Sequence, residues 1–387
     1  MDIPLVPACG VGGLADVVPA LLSGLGVPGF ADRPALLHPA QGVCLLLVDG
    51  LGWQALRAHP QDAPFLTSLT GGSEPITAGF PATTATSVAT LGTGLPAGQH
   101  GIVGFSFAIP DGSLINALSW RTHDGGDGTD LRKRFIPEDI QPVYTALERA
   151  ADAGVRVTLA VPHLHQETGL TRAVLRGGDF RGVHALGDLA GTALVAMSGS
   201  ERAFCYVYHG DLDLLGHRYG VGSLPWRLQL AHVDRLAAAI AERLPPGAQL
   251  VVTADHGMVT VPEQSRLDFD TEPALQAGVR LLGGDPRARY VYTKPGATDD
   301  VFGTWRELIG DRAWIVTRDE AIAQGWFGPV VEHRIRDRIG DVVVAARTDF
   351  VVVRSAVEAR LSRLVGHHGS LTAAEQLVPL LVFSPDS

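Results

Sequence analysis

The chain has 387 residues, 46% of them hydrophobic and 19% charged. Its formal net charge of −10 argues against a general nucleic-acid binder, which carries a basic surface, but leaves small anionic substrates open because a buried metal site reverses the field locally. The cysteines Cys9, Cys44 and Cys205 are too scattered for a disulfide framework or a zinc-type cysteine cluster.

The N-terminal segment has no basic region ahead of its apolar residues, and no uninterrupted run of about 18 apolar residues follows. The expectation is a cytoplasmic enzyme with no signal peptide or membrane segment. Residues 43–48 (Val-Cys-Leu-Leu-Leu-Val) run into Asp49-Gly50. A continuous apolar run of this length suits a strand buried on both faces of a parallel sheet. The carboxylate that ends it reads equally as a metal ligand or as the start of a turn. Next comes Gly79-Phe-Pro-Ala-Thr-Thr84-Ala-Thr-Ser87, leading to Thr93-Gly-Leu and His100-Gly-Ile. The small residues after Thr84 predict a helix packed tightly on the sheet. At its start Thr84 is either the partner of a bound anion or a simple N-cap.

Further strands are predicted at 155–161, before Pro162-His163-Leu-His165, and at 203–208, which ends in Tyr208. His163 and His165 read as residues lining a cleft or capping the strand end, with an amidohydrolase-type metal site as the weaker alternative. Asp213 and His217 are four apart, so on a helical turn both face one way and can hold one zinc; His209 and Asp211 read as surface turn residues. A helix is predicted over 225–244, with Ser223 as N-cap and Trp226, Leu230, Val233, Leu236, Ile240 and Leu244 on one face. Residues 249–253 form another strand and run into Ala254-Asp255-His256-Gly257, two adjacent candidate ligands followed by a residue that permits a turn. The loop 124–130, rich in Gly and Asp, does not fit the spacing of a helix-loop-helix calcium site and reads as solvated.

From 267 to 356 the texture changes to shorter strands (289–293, 313–317, 341–346, 350–353) around a helix at 299–309, with no further motif. This predicts an inserted smaller α+β cap on a core made of 1–266 and 357–387. The late segment Gly366-His367-His368-Gly369-Ser370 adds one more candidate ligand before a helix start capped by Ser370 or Thr372.

The order and spacing of these segments resemble the nucleotide pyrophosphatase/phosphodiesterase family of the alkaline phosphatase superfamily, from about Val43 to the C-terminus. The resemblance rests on the Asp-Gly strand end, the Thr to Thr-Gly-Leu spacing with His-Gly-Ile, Asp-x-x-Gly-His, Asp-His-Gly and the terminal His-Gly-Ser-Leu. It implies an alkaline-phosphatase-like α/β fold, a mostly parallel central sheet flanked by helices. It also implies two divalent ions, zinc first and manganese or iron next. In that scheme Thr84 is the nucleophile. Asp49, Asp255 and His256 hold the metal that touches it, and Asp213, His217 and His368 hold the other. Tyr208 matches a substrate-pocket tyrosine. Ser87 stands where the family carries an asparagine; it lacks that amide but still offers a hydroxyl to a phosphoryl oxygen.

The chain departs from the pattern where Ala85 replaces an aromatic residue after the nucleophile and Leu212 replaces a proline. The implied substrates are small phosphate esters or phosphonates. The first expectation is a phosphodiesterase or pyrophosphatase working through a phospho-threonine. A phosphonate hydrolase, for which phosphonoacetate is the reference substrate, and a phosphomonoesterase are alternatives within the superfamily. A non-catalytic binding protein on the same fold is the alternative from another class. No cysteine stands near Thr84, which excludes a sulfatase-type nucleophile.

Overall fold

A computed structural model describes residues 3–30, 40–123, 128–199 and 201–385; part of the loop 124–130, read above as solvated, lies outside them. The apolar runs form the middle of one six-stranded sheet. Its strands are β1 (Gly42–Val48), β2 (Arg156–Pro162), β3 (Asp179–Val183), β4 (Ala203–His209) and β5 (Ala248–Thr253), joined by an edge strand at Leu380–Phe383. The order runs edge strand, β5, β1, β4, β2, β3, and every pairing is parallel except that of the edge strand with β5. Every residue of β1 is buried, because β4 and β5 pair with it on either side and its side chains join the main apolar core. That burial is why its sequence is continuously apolar rather than alternating. Cys44 and Cys205 face each other across the β1–β4 register as free, buried thiols.

The helix Leu224–Ala241 follows Ser223, carries Pro225 in its first turn, and buries Trp226, Leu230, Val233, Leu236 and Ile240. It ends earlier than the spacing predicts, although Leu244 is still buried beyond it. Two edge strands escape a reading based on apolar runs. β3 reads Asp-Phe-Arg-Gly-Val and is mostly exposed, as an edge strand can be. Leu380–Phe383 lies antiparallel behind Pro379 and closes the other side.

Between β5 and His368 a second sheet forms from β6 (Val279–Asp285), β7 (Ala288–Thr293), β8 (Ala313–Thr317) and β9 (Val342–Ala346), antiparallel in the order β6, β7, β9, β8. Here the period of two is visible. Val291, Val342 and Val344 cluster with Trp305 of the Thr298–Ile309 helix, while Tyr290, Tyr292, Val343 and Ala345 join the main core. The strand expected at 350–353 is Val351–Val353, and it belongs elsewhere, pairing parallel with Arg266–Asp268. Among the described residues, no helix is long and apolar enough to cross a membrane.

One ion pair ties the second sheet to the functional loops. Arg287 and Glu375, both fully buried, meet through Nε–Oε1 and Nη2–Oε2 contacts of 2.7 Å each. The remaining donor, Nη1, reaches the carbonyls of Thr348 (2.6 Å) and Phe350 (2.8 Å). Glu375 also accepts from Ser370 N at 2.9 Å, and its carbonyl accepts from Gly257 N at 2.8 Å, so one residue braces the neighbourhoods of both His368 and His256. Arg287→Met is expected to cost about 3–5 kcal/mol by stranding a buried carboxylate. Urea denaturation checks this, and Arg287→Met combined with Glu375→Leu should lose less than Arg287→Met alone.

Candidate metal centre and nucleophile

The candidate side chains gather at the carboxyl ends of β1, β4 and β5, where open α/β sheets place their sites. Asp49 follows β1 and is buried. Gly50 after it has φ +75°, and a Cβ there would come 3.0 Å from Cα and Cβ of Asp213, so glycine lets the β1 turn meet the helix that carries Asp213. Asp255 Oδ1 accepts from Gly50 N and from His256 N, both at 3.0 Å, which ties the ends of β1 and β5 together. Gly257 serves for space rather than for a turn: a Cβ would lie 2.0 Å from the Ala374 carbonyl oxygen. The helix Asp211–Tyr219 carries Asp213 and His217 on one face, with Oδ2 and Nε2 3.3 Å apart. Gly366–His367 pairs antiparallel with Val259–Thr260 and delivers His368.

Three imidazoles are held the same way. Nδ1 of His217 bonds to Gly366 O at 2.8 Å, that of His368 to Ala82 O at 2.8 Å, and that of His256 to Gly257 O at 3.0 Å. A carbonyl oxygen accepts only, so each Nδ1 carries the proton and each Nε2 presents a lone pair to the centre. This backbone orientation is what metal-binding histidines require. His217 Nε2 and His368 Nε2 stand 3.2 Å apart, two lone pairs facing each other with no proton between them in these tautomers. Buried Oδ1 of Asp49, Oδ1 of Asp213 and Oδ2 of Asp255 have no hydrogen-bond partner among the described residues. Convergent lone pairs and unpartnered carboxylate oxygens fit divalent cations, and histidine with carboxylate is a zinc-type donor set.

Two groups of donors meet, with ligand atoms within 4.8 Å of one another: Asp213 with His217 and His368, and Asp49 with Asp213 and His256. The first is the set expected from the sequence. In the second, Asp213 stands where Asp255 was expected, while Asp255 Oδ2 lies 3.4 Å from His256 Nε2. Asp213 thus lies between the two groups. Burial, with Asp255 and Asp213 beside it, pushes the Asp49 carboxyl well above the usual range. Burial likewise raises Asp213, against the pull of His217, and drives His368 well down, helped by His256 and His217. A bound cation would reverse the two carboxylate shifts and reinforce that of His368, since it favours both carboxylate and neutral imidazole.

Thr84 opens the helix Thr84–Thr93, behind an N-cap at Thr83. Its Oγ1 lies 3.4 Å from Asp49 Oδ2 and 3.3 Å from His256 Nε2. Ser87 departs from expectation: it is fully buried and donates to the Asp255 carbonyl at 2.7 Å, so it pins the helix to the end of β5 instead of facing a phosphoryl group. Tyr208 borders the cleft and its hydroxyl donates to Asp49 Oδ2. His209 is not a surface turn residue; it is buried at the end of β4, with Nε2 3.0 Å from Gln229 Nε2. Asp211 is exposed. His165 lines the cleft, whereas the His163 ring lies tilted against that of His184, with centroids 4.2 Å apart. His367 bonds to Leu364 O, and burial pushes it down to about 3.

Sequence reading misses Asp285 at the tip of β6, where Gly283-Gly284-Asp285 looks like an ordinary turn. It is buried, 3.5 Å from Thr83 Oγ1 and 3.4 Å from Phe105 N, and burial pushes it up to about 7. It also misses a cleft of about 240 Å³ beside Thr84, walled by Val88, Leu118, Val161, Leu170 and Leu175.

Residues 43–371 match the sequence model of the type I phosphodiesterase / nucleotide pyrophosphatase family. The chain belongs to this family. The family is metal-dependent. Among solved structures, human ectonucleotide pyrophosphatase/phosphodiesterase 5 is 18% identical, with 89% of this chain and 88% of that one covered and a TM-score of 0.67. Phosphonoacetate hydrolase from Sinorhizobium meliloti, bound to phosphonoacetate, is 19% identical, with 89% and 90% covered and a TM-score of 0.63. At such identities the likeness shows the family's fold. Phosphopentomutase from Anaeromyxobacter sp. (strain K) is 31% identical over 160 residues, 41% of this chain and 39% of that protein. The chain therefore spans about two fifths of the length of the curated relatives it matches.

Proposed function

We propose that this family member is a two-metal phosphodiesterase or nucleotide pyrophosphatase acting through a phospho-threonine on Thr84. The observation that carries the reading is the Thr84 hydroxyl, at a helix N-terminus and within 3.4 Å of both Asp49 and His256. Asp213, His217 and His368 would hold one divalent ion, and Asp49, Asp255 and His256, with Asp213 close by, the other; zinc suits these donors best, then manganese or iron. When bound, these cations would lower the Thr84 hydroxyl's pKa and neutralise charge on the entering and leaving oxygens. Thr84 Oγ1 forms a bond to phosphorus as the bond to the leaving oxygen breaks, and that oxygen departs with the electron pair. Water then attacks the same phosphorus and expels Thr84 Oγ1. The backbone amides at the helix start face the phosphoryl oxygens. Residues 267–356 are proposed as an insertion on the core of 1–266 and 357–387, supported by their own apolar cluster around Trp305.

Charge favours diesters. Three aspartates and two divalent ions leave one net positive charge, which ionised Thr84 cancels, and a phosphodiester brings one negative charge where a monoester brings two. Arg121 bonds to Gly128 O, and no Arg or Lys is among the described walls of the cleft. The test is the ratio of kcat/KM for an aryl phosphodiester to that for the same aryl monoester, expected well above one with metals fully loaded. A ratio below one identifies a monoesterase. Activity confined to phosphonates identifies a phosphonate hydrolase.

A further inference from the structure

The cleft beside Thr84 has an unusual chemical balance. Its named apolar wall is interrupted by Tyr206, which is 2% exposed and whose hydroxyl has no hydrogen-bond partner among the described residues. Tyr206 and Tyr208 are two apart on β4 and so share a face, but their hydroxyls differ in employment: Tyr208 donates to Asp49, and Tyr206 is uncommitted. A buried hydroxyl without a partner is costly unless a ligand or water completes it. Burial, with Asp255 and Asp49 nearby, raises the Tyr206 phenol well above its usual value, so it stays protonated and acts as a donor. The charged residues bordering the cleft are Asp49 and Asp213, with no Lys or Arg among its described walls. His165, which closes one side with its ring 5.7 Å from that of Tyr208, is held towards its neutral form by burial. A second anionic group would therefore enter without a counter-charge.

Position assigns the cleft a place in the reaction. Thr84 and Val88, one helical turn apart, both border it. In-line displacement sends the leaving oxygen away from the attacking one, so a group lying alongside Thr84 is a substituent that stays on phosphorus. We propose that this cleft is the subsite for that retained substituent, that it takes an uncharged, largely apolar group carrying a hydrogen-bond acceptor, and that Tyr206 recognises the acceptor. This rests on the phosphodiesterase reading.

The test uses the metal-loaded full chain and three diesters with one leaving group: 4-nitrophenyl phosphates whose retained group is phenyl, 3-acetylphenyl or 3-carboxyphenyl. The acetylphenyl ester should exceed the phenyl ester in kcat/KM by about tenfold, the worth of one hydrogen bond to a buried donor, and the carboxyphenyl ester should fall below both. In Tyr206→Phe the acetylphenyl-to-phenyl ratio should drop to about one. An unchanged ratio in the variant, or a carboxyphenyl ester that reacts as well as the acetylphenyl one, overturns the assignment. If none of the diesters reacts, the phosphodiesterase reading fails instead. The subsite is then read by calorimetric binding of phenyl phosphate and 3-acetylphenyl phosphate to wild type and Tyr206→Phe. The acetyl compound should bind about tenfold more tightly to wild type and show no advantage in the variant; equal binding to wild type overturns the subsite.

Discussion

Thr84→Ala is expected to lower kcat for a phosphodiester by about three to six orders of magnitude, the scale seen when a covalent nucleophile is removed. The fold and the metal content should survive. Thr84 begins its helix without serving as the N-cap, and the donor groups around it come from other segments, so alanine removes a hydroxyl and little else. The neighbouring threonines make the comparison sharp. Thr83 faces Asp285 through its hydroxyl, and Thr86 is fully buried. Neither stands between Asp49 and His256 as Thr84 does. If Thr84→Ala turns over at nearly the wild-type rate while Thr83→Ala or Thr86→Ala does not, the nucleophile is misassigned. Thr84→Ser should recover a substantial part of the loss, since it restores the hydroxyl at the same helix position.

Exhaustive chelation is expected to abolish turnover and to lower the melting temperature by several degrees. Elemental analysis of protein purified without chelator should find about two transition-metal ions per chain, a count that follows from the two donor groups. The stability loss has a separate cause. Asp49, Asp213 and Asp255 are close together, Asp49 and Asp255 are deeply buried, and a cation present at a thousand times its Kd stabilises the folded chain by about 4 kcal/mol. Readdition of zinc should restore both properties. Full activity in protein shown to contain no metal would defeat the two-metal reading.

The parts of the fold legible in the sequence are those whose physics is local. β1, β2, β4 and β5 are buried on both faces, and so they stand out as apolar runs; the helix after Ser223 shows its one apolar face. Asp213 and His217 pair through helical spacing alone. Other features depend on contacts that no local pattern encodes. The approach of Asp213 to Asp49 requires the Gly50 turn to press against another helix. Ser87 has the composition of a phosphate contact, and its commitment to Asp255 follows from how deeply the Thr84 helix packs. His209 sits in a polar-looking strand end that Gln229, twenty residues later, covers. Asp285 is buried because β6 and β7 lean on the main core, and nothing in Gly-Gly-Asp announces that. Tyr206 is visible only as one more residue of an apolar strand until the cleft beside it is seen.

Asp49, 3.5 Å from His256 Nε2, and His368, whose ring stacks on that of His256, are more than three hundred residues apart in the chain. At a synthesis rate of roughly 5–20 residues per second, the first of these candidate ligands waits about 15–60 s for the last. During that interval the growing polypeptide can assemble β1, β4 and β2 but lacks His368 and the strand that covers the free side of β5. On the proposed reading a nascent chain lacking His368 would not turn over substrate, and the outer edge of β5 stays unpaired until Leu380–Phe383 has been made.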